Sequence, residues 1–541
     1  MLALARQGRS RDCPASMMKK LLLVPATVVA FCAPCLAINF SVLEELPVQE
    51  GGRKKPYLVF SEEALLATSG KTAVEFRGKR KPAREVVTAL WLEPSGWQNE
   101  PLVLVNHLGL KQACGLDSGR KLFSYSELVA SAALRKMLDE AAALRARPGN
   151  TRLTGLPKEA ADVGMRLAMI ESLASGEAYR LVPNPKLSDG PWSQVPDAAL
   201  APLRTAFRAN DDIAFATAAK HLRGELAAMH PAFQPPSWKI RLETLYQKAH
   251  PIRWAWILYL LAGLTAGLAG TTLAGYRWAW VFAAGGFAMQ LAGFAARIAI
   301  SGRPPVTNMY ESVLWVAFGT VLFALIFEAI YRSRVFLMAA CPVAVVSLIL
   351  ADSQPVAMSR SIDPLVPVLR DNFWLTTHVL TITLSYAAFA LALALGHVVL
   401  FSVIRGNRPS PALYNYLYRV LQVGVLLLAV GTILGGVWAN YSWGRFWDWD
   451  PKEVWALVTL LAYLFVLHGR IAGKWGGFGL AVGSVLCFLC VLMAWYGVNF
   501  VLGVGLHSYG FGSGGFGYAV TFVAAELILV AVAAVRKRGI H

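Results

Sequence analysis

The feature that most limits what this chain can fold into is a series of apolar runs from Arg253 to the C-terminus. Nine stretches, most of about 17 to 25 residues, run Trp254–Gly270, Trp278–Ile300, Val313–Ile330, Val335–Ala351, Thr377–Ile404, Val420–Trp438, Val454–Leu467, Phe478–Val501 and Ala519–Val535. At 1.5 Å per residue, about 20 apolar residues cross a hydrocarbon layer of about 30 Å. No water reaches the backbone there, so such runs must be helical. The reading is a polytopic α-helical membrane protein with about nine transmembrane helices. The seventh run is the shortest and is expected to extend into the aromatic segment before it.

Charge sets the orientation. The composition is 56% hydrophobic and 16% charged, too little charge to cover a soluble chain of 541 residues. A net charge of +18 would suggest nucleic acid in a soluble protein. Here much of the excess lies in short loops, and no basic face alternates with aromatic stacking positions, so nucleic-acid binding is not expected. Every second loop is basic: Arg277; Arg332 and Arg334; Arg405, Arg408 and Arg419; Arg470 and Lys474; and Arg536-Lys537-Arg538. The positive-inside rule places these in the cytoplasm, and Ser301–Glu311, Asp352–Thr376, Ala439–Glu453 and Gly503–Gly517 outside. Arg303, Arg360 and Arg370 make the bias a tendency.

The start of the chain agrees with that topology. Lys19 and Lys20 precede the apolar run Leu21–Ala33, and Pro34-Cys35-Leu36-Ala37 offers a small-residue cleavage site. Residues 1–37 therefore read as a signal peptide, a lipoprotein leader or an uncleaved anchor. Each reading exports residues 38–250, expected to form a soluble α/β or mainly helical domain. Glu127–Arg147 and Phe207–Met229 are its clearest helices, Leu102–His107 alternates like a strand, and Pro235-Pro236 marks a break before the helix entering the membrane. Of seven cysteines, Cys13, Cys32 and Cys35 lie in the leader region and Cys114 alone in this domain, so no internal disulfide framework can form. Cys487 and Cys490 sit within an apolar helix and read as buried small side chains rather than a redox pair.

The chemistry concentrates between residues 438 and 455. Trp438, Trp443, Trp447, Trp449 and Trp455 put five tryptophans into eighteen residues, mixed with Arg445, Asp448, Asp450, Lys452 and Glu453. An interfacial aromatic belt explains one or two tryptophans, not five among so many charges. A platform for a flat apolar ligand fits better, with Arg445 or Lys452 open to anionic groups on it. His378, at the outer end of the fifth run, and His507, in the outer loop after the eighth, fall on the same face. Two imidazoles beside an aromatic platform suit an iron porphyrin. His468 lies near the inner end of the seventh run. His397, nineteen positions after His378, is about 28 Å further along the same helix. Ionisable groups at such depth are functional candidates. No side chain reads as an activated nucleophile or general base.

The segment Trp443-Gly-Arg-Phe-Trp447-Asp-Trp449-Asp450-Pro-Lys-Glu453-Val-Trp455 resembles the WWD motif of the haem-handling protein family, and within it the CcsA type of System II cytochrome c synthase. The resemblance extends to Pro305–Ser312, His378, Leu467-His468-Gly469 and His507-Ser508-Tyr509-Gly510, covering nearly all of residues 254–541. It implies that His378 and His507 are outer axial ligands to the iron of haem b. It also implies that His468 is the transmembrane ligand used as haem enters, and that the tryptophan segment, from Trp443 to Trp455, is the haem platform. The implied role is attachment of haem to apocytochrome c at the periplasmic face of a bacterial inner membrane, with a CcsB-like partner and thiol-reducing proteins. The several spans of a CcsB do not precede the soluble domain here, which suggests His397 as a substitute ligand. Haem delivery without ligation and a cytochrome b-type electron-transfer anchor are the competing readings; a solute transporter would need repeats that are absent.

Overall fold

The computed structural model describes residues 38–147, 153–187, 190–269, 272–353, 358–365, 367–507 and 515–538. The expected leader, with Cys13, Cys32 and Cys35, lies outside these residues, as does Ser508-Tyr509-Gly510. The N-terminal part is mainly helical, with four two-stranded antiparallel pairs among its described residues. Strands Pro47–Glu50 and Arg53–Pro56 pair across Gly51-Gly52, both at positive φ, as a tight hairpin requires. Its core contains Trp91 stacked on Tyr179 at 4.5 Å, with the Tyr179 hydroxyl donating to the Val87 carbonyl at 2.7 Å.

Two expected helices are each broken. Glu127–Arg147 becomes Tyr125–Ala130 and Ala132–Arg145, because Ser131 turns extended and its hydroxyl accepts from the Leu134 amide. Phe207–Met229 is split by left-handed Asn210, and Asp211 caps the second helix, Asp212–Ala228. In both places a short polar side chain competes for backbone amides, and apolar spacing carries through the break unchanged.

From residue 237 onward the protein is a polytopic helical membrane protein. Among the described residues nine helical segments are long and apolar enough to span: Ser237–Ala269, Leu273–Ser301, Met309–Tyr331, Val335–Ser353, Asn372–Ile404, Pro411–Trp443, Pro451–Ile471, Gly477–Leu502 and Phe516–Arg538. The first restarts at Pro251 after left-handed His250. Its earlier half packs on Leu273–Ser301, fastening the N-terminal part to the bundle. The seventh begins directly after Asp450, as the short apolar run required.

The fifth spanning helix is the centre of the bundle, touching the third, fourth, sixth, eighth and ninth. Buried Ala387, Ala388, Ala390, Ala392 and Ala394 allow that close approach. Phe389 stacks on Tyr463 of the seventh helix at 3.8 Å with planes 1° apart. The ninth helix is peripheral, and only Glu526 and Ala533 of it are buried. Glu526 meets His397 Nε2 at 2.7 Å, the one polar tie between the fifth and ninth helices among the described residues. A double-mutant cycle of His397→Ala and Glu526→Ala in detergent is predicted to give a coupling of about 0.6–1.7 kcal/mol. Additive losses would mean that the pair does not hold the ninth helix.

Candidate functional site

Helices alternate in direction, so the connections after the second, fourth, sixth and eighth spans fall at one end of the bundle. There a cavity of about 290 Å³ is lined from all four connections by residues that include Asn308, Asp363, Trp447 and His507. That volume lies at the lower edge of the range of about 300–1,000 Å³ typical of small-molecule pockets. His378, Trp438, Lys452, Glu453, Trp495 and Asn499 also line it.

His378 sits in a π-helical turn, Leu375–Val379, inside the fifth span. The extra residue of a π-turn displaces the side chains around it, a device common at functional sites. His378 Nδ1 lies 2.8 Å from the Gly431 carbonyl oxygen. A carbonyl only accepts, so Nδ1 carries the proton and the lone pair is on Nε2. Gly435 gives the ring its room: a Cβ there would lie 2.6 Å from His378 Cε1. Trp438 is buried beside the ring, with centroids 5.6 Å apart. A second π-helical stretch, Met493–Leu502, brings Trp495, Asn499 and Phe500 to the wall. The Asn499 side-chain oxygen is buried without a hydrogen-bond partner.

The tryptophan segment is less of a loop than its sequence suggests. Trp438–Trp443 ends the sixth helix and Pro451–Trp455 begins the seventh, leaving Gly444–Asp450 as the turn. Asp450 organises that turn. One carboxylate oxygen accepts from the Lys452 amide at 3.0 Å and from His507 Nδ1 at 3.0 Å; the other accepts from the Leu506 amide at 2.6 Å. Burial alone would raise the Asp450 carboxyl. The His507 hydrogen bond and the Lys452 and Leu506 amides outweigh it and hold the group below its usual value. Glu453 completes a capping box, accepting from the Asp448 and Asp450 amides. Gly505, at φ +96°, lies against Asp450 so closely that a Cβ would meet Oδ2 at 2.3 Å.

The remaining expected residues take separate places. Trp443 packs edge-on against His507 at 5.2 Å. Arg445 is paired with Asp448 at 2.7 Å and neither lines the cavity. Trp449, at φ +56° and 70% exposed, lies edge-on to Trp447. Trp455 is on the seventh helix, away from the cavity lining. Of the two cations considered for anionic groups, Lys452 therefore faces the cavity and Arg445 does not. His397 and His468 stand apart from it: His397 is tied to Glu526, and His468 is exposed with Nδ1 at 2.7 Å from the Leu464 carbonyl oxygen.

Residues 305–312 supply a wall that residue types alone did not assign to the site. Glu311 accepts from Arg297 at 2.6 Å, from the Thr307 amide at 2.9 Å and from its hydroxyl at 2.7 Å, while Asn308 caps the third helix through the Glu311 amide. This closed turn sets Thr307, Asn308, Met309 and Ser312 along the cavity. Trp495 donates to the Ser312 hydroxyl at 3.0 Å, joining the third and eighth helices behind it.

Comparison with known proteins covers this same region. A family model described as cytochrome C assembly protein matches residues 306–507. The CcsA cytochrome c biogenesis protein of Prochlorococcus marinus (strain MIT 9301) is 36% identical over 246 residues, 40% of this chain and 78% of that one. Protein NrfI of Wolinella succinogenes is 28% identical over 511 residues, covering 86% of this chain but 54% of NrfI. The chain thus spans about half of NrfI, and that match is too long to be confined to the membrane part. Among solved structures, the cytochrome c haem lyase CcmF aligns over 54% of this chain and 50% of its own, with 16% identity and a TM-score of 0.39.

Arg297 and Glu311 are 3% and 2% exposed, so Glu311→Ala is predicted to cost about 3–5 kcal/mol by stranding the guanidinium. Adding Arg297→Leu is expected to recover part of the loss in a detergent melting assay; no recovery would mean that packing, not charge, dominates. For Asp450 the native value is depressed, so its stabilisation is complete above the unfolded value of about 3.9 and is lost as pH falls through the native one. The melting difference between wild type and Asp450→Asn is accordingly expected to stay flat from pH 7 to about pH 4 and shrink below.

Proposed function

The chain belongs to the CcsA family of cytochrome c biogenesis proteins, and from that premise we propose that its cavity holds haem between His378 and His507 and presents it to apocytochrome c. One observation carries the reading. Both imidazoles line one cavity, each with Nδ1 engaged by an acceptor, as the other ring nitrogen of a metal-ligating histidine almost always is. Trp438 and Trp447 supply apolar wall, and Lys452, the cation of the lining, suits a propionate. Asn499 and Asp363 belong to the same lining, where burial, then nearby Glu63, raises the Asp363 carboxyl.

Haem is the substrate. The thiols of a C-x-x-C-H segment add across its vinyl groups: each sulfur–carbon bond forms as the thiol proton passes to the other vinyl carbon, with no net redox change. This chain contributes position rather than acid or base: it fixes the haem edge and occupies both axial sites of the iron. Substrate cysteines must be reduced, which calls for thiol-reducing partners. The chain would act as a haem-thioether ligase component, with the tryptophan turn and N-terminal part on the periplasmic side. His468 is the ligand for the inner half of the path. Its second ligand would come from a CcsB-like partner or from His397, and the tie from His397 to Glu526 favours the partner.

In purified protein, His378→Ala or His507→Ala is expected to abolish the low-spin spectrum of co-purified haem, and Lys452→Met to weaken haem binding about 10–100-fold. Unchanged spectra in both histidine variants would refute the site. Loss of haem with His468→Ala but not His397→Ala would assign the second inner ligand to a partner. Haem loading without attachment to a co-expressed apocytochrome, even with a CcsB-like partner, would favour delivery over ligation. For sidedness, a cysteine at Tyr441 should react with an impermeant thiol reagent in intact cells and one at Arg408 only after lysis; the reverse would invert the topology.

A further inference from the structure

The two cavity imidazoles are held by unlike partners. His378 Nδ1 donates to a neutral backbone carbonyl, that of Gly431, at 2.8 Å. His507 Nδ1 donates to a carboxylate oxygen of Asp450 at 3.0 Å. The second contact is not a surface accident. The Asp450 and His507 side chains are 3% and 17% exposed, and the same carboxylate is fixed by the Lys452 and Leu506 amides. Trp443 closes over the His507 ring at 5.2 Å, and only glycine fits at position 505. The acceptor is therefore held in place before any ligand arrives.

A carboxylate draws the Nδ1 proton more strongly than a carbonyl does. The ring it holds gains imidazolate character, and its Nε2 becomes the stronger donor. A stronger donor favours ferric over ferrous iron, one of the levers by which a protein sets haem potential. Resting on the reading that His378 and His507 ligate haem, we infer that Asp450 is a positioning residue that makes the two axial bonds unequal. Asp450 strengthens the bond to His507 and lowers the potential of the bound haem, while His378 remains the weaker, more exchangeable ligand. Reduction and ligand exchange are then tuned by one residue of the tryptophan turn that does not touch the iron.

The test uses full-length, haem-loaded protein. Asp450→Asn removes the charge while keeping an acceptor, and the midpoint potential is expected to move in the positive direction. Asp450→Glu, with the charge restored, should return it toward wild type. An unchanged potential in Asp450→Asn that retains low-spin haem would overturn the inference while leaving the ligand assignment intact. A second measurement keeps Asp450 in place. His507→Gly and His378→Gly are each loaded with haem and titrated with imidazole or with 1-methylimidazole, which has no N–H to donate. The affinity ratio of imidazole to 1-methylimidazole is expected to be several-fold larger in the 507 slot than in the 378 slot. Equal ratios would overturn the inference. If neither variant is rescued and neither loses low-spin haem, the ligand assignment itself fails, a separate outcome.

Discussion

The hydrogen bonds converging on the Asp450 carboxylate are the constraint on which the site depends. A helix that starts at the edge of a bilayer exposes amides that neither lipid nor its own first turn can satisfy. Asp450 satisfies one at Lys452, and with its remaining capacity fastens Leu506 and His507 from a connection 56 residues further on. Capping the seventh helix and aiming an imidazole into the cavity are thus one structural act. Glu453 closes the other side of the turn, and Pro451 fits the first helical position because its missing N–H would have had no partner.

The opposite wall obeys the same logic with a different pair. Arg297 and Glu311 are both deeply buried, and the pair survives because Thr307 fills the remaining acceptor capacity of the carboxylate. Between these two fixed turns run the two π-helical segments, each carrying cavity residues on a span that is otherwise regular. The bundle behind them is ordinary close packing of small residues around the fifth helix. What distinguishes the molecule is therefore confined to one end, where four connections and the N-terminal part meet.

Much of this was legible in the sequence. Apolar run length reports spanning helices directly, and loop parity alone brings His378, His507 and the tryptophans to one end. Residue types marked Lys452 as a partner for anionic groups but could not separate it from Arg445, because the Arg445–Asp448 pair depends on how a seven-residue turn folds. The broken helices at Ser131 and Asn210 were hidden because apolar periodicity is blind to a single capping side chain. The π-turns, the orphaned Asn499 oxygen and the Asp450–His507 bond depend on tertiary approach, which no local pattern encodes. The wall at Thr307–Ser312 could have been suspected from Asn308 followed three residues later by Glu311, a helix-start signature beside an apolar run.

In the proposed site His378 and His507 together hold the iron. Pulsed electron paramagnetic resonance of the ferric, haem-loaded protein grown with ¹⁵N-histidine tests it most directly. The expected result is a low-spin centre with hyperfine coupling from two histidine nitrogens, one lost in His378→Ala and the other in His507→Ala. A high-spin centre, or two histidine couplings that persist in both variants, would contradict it.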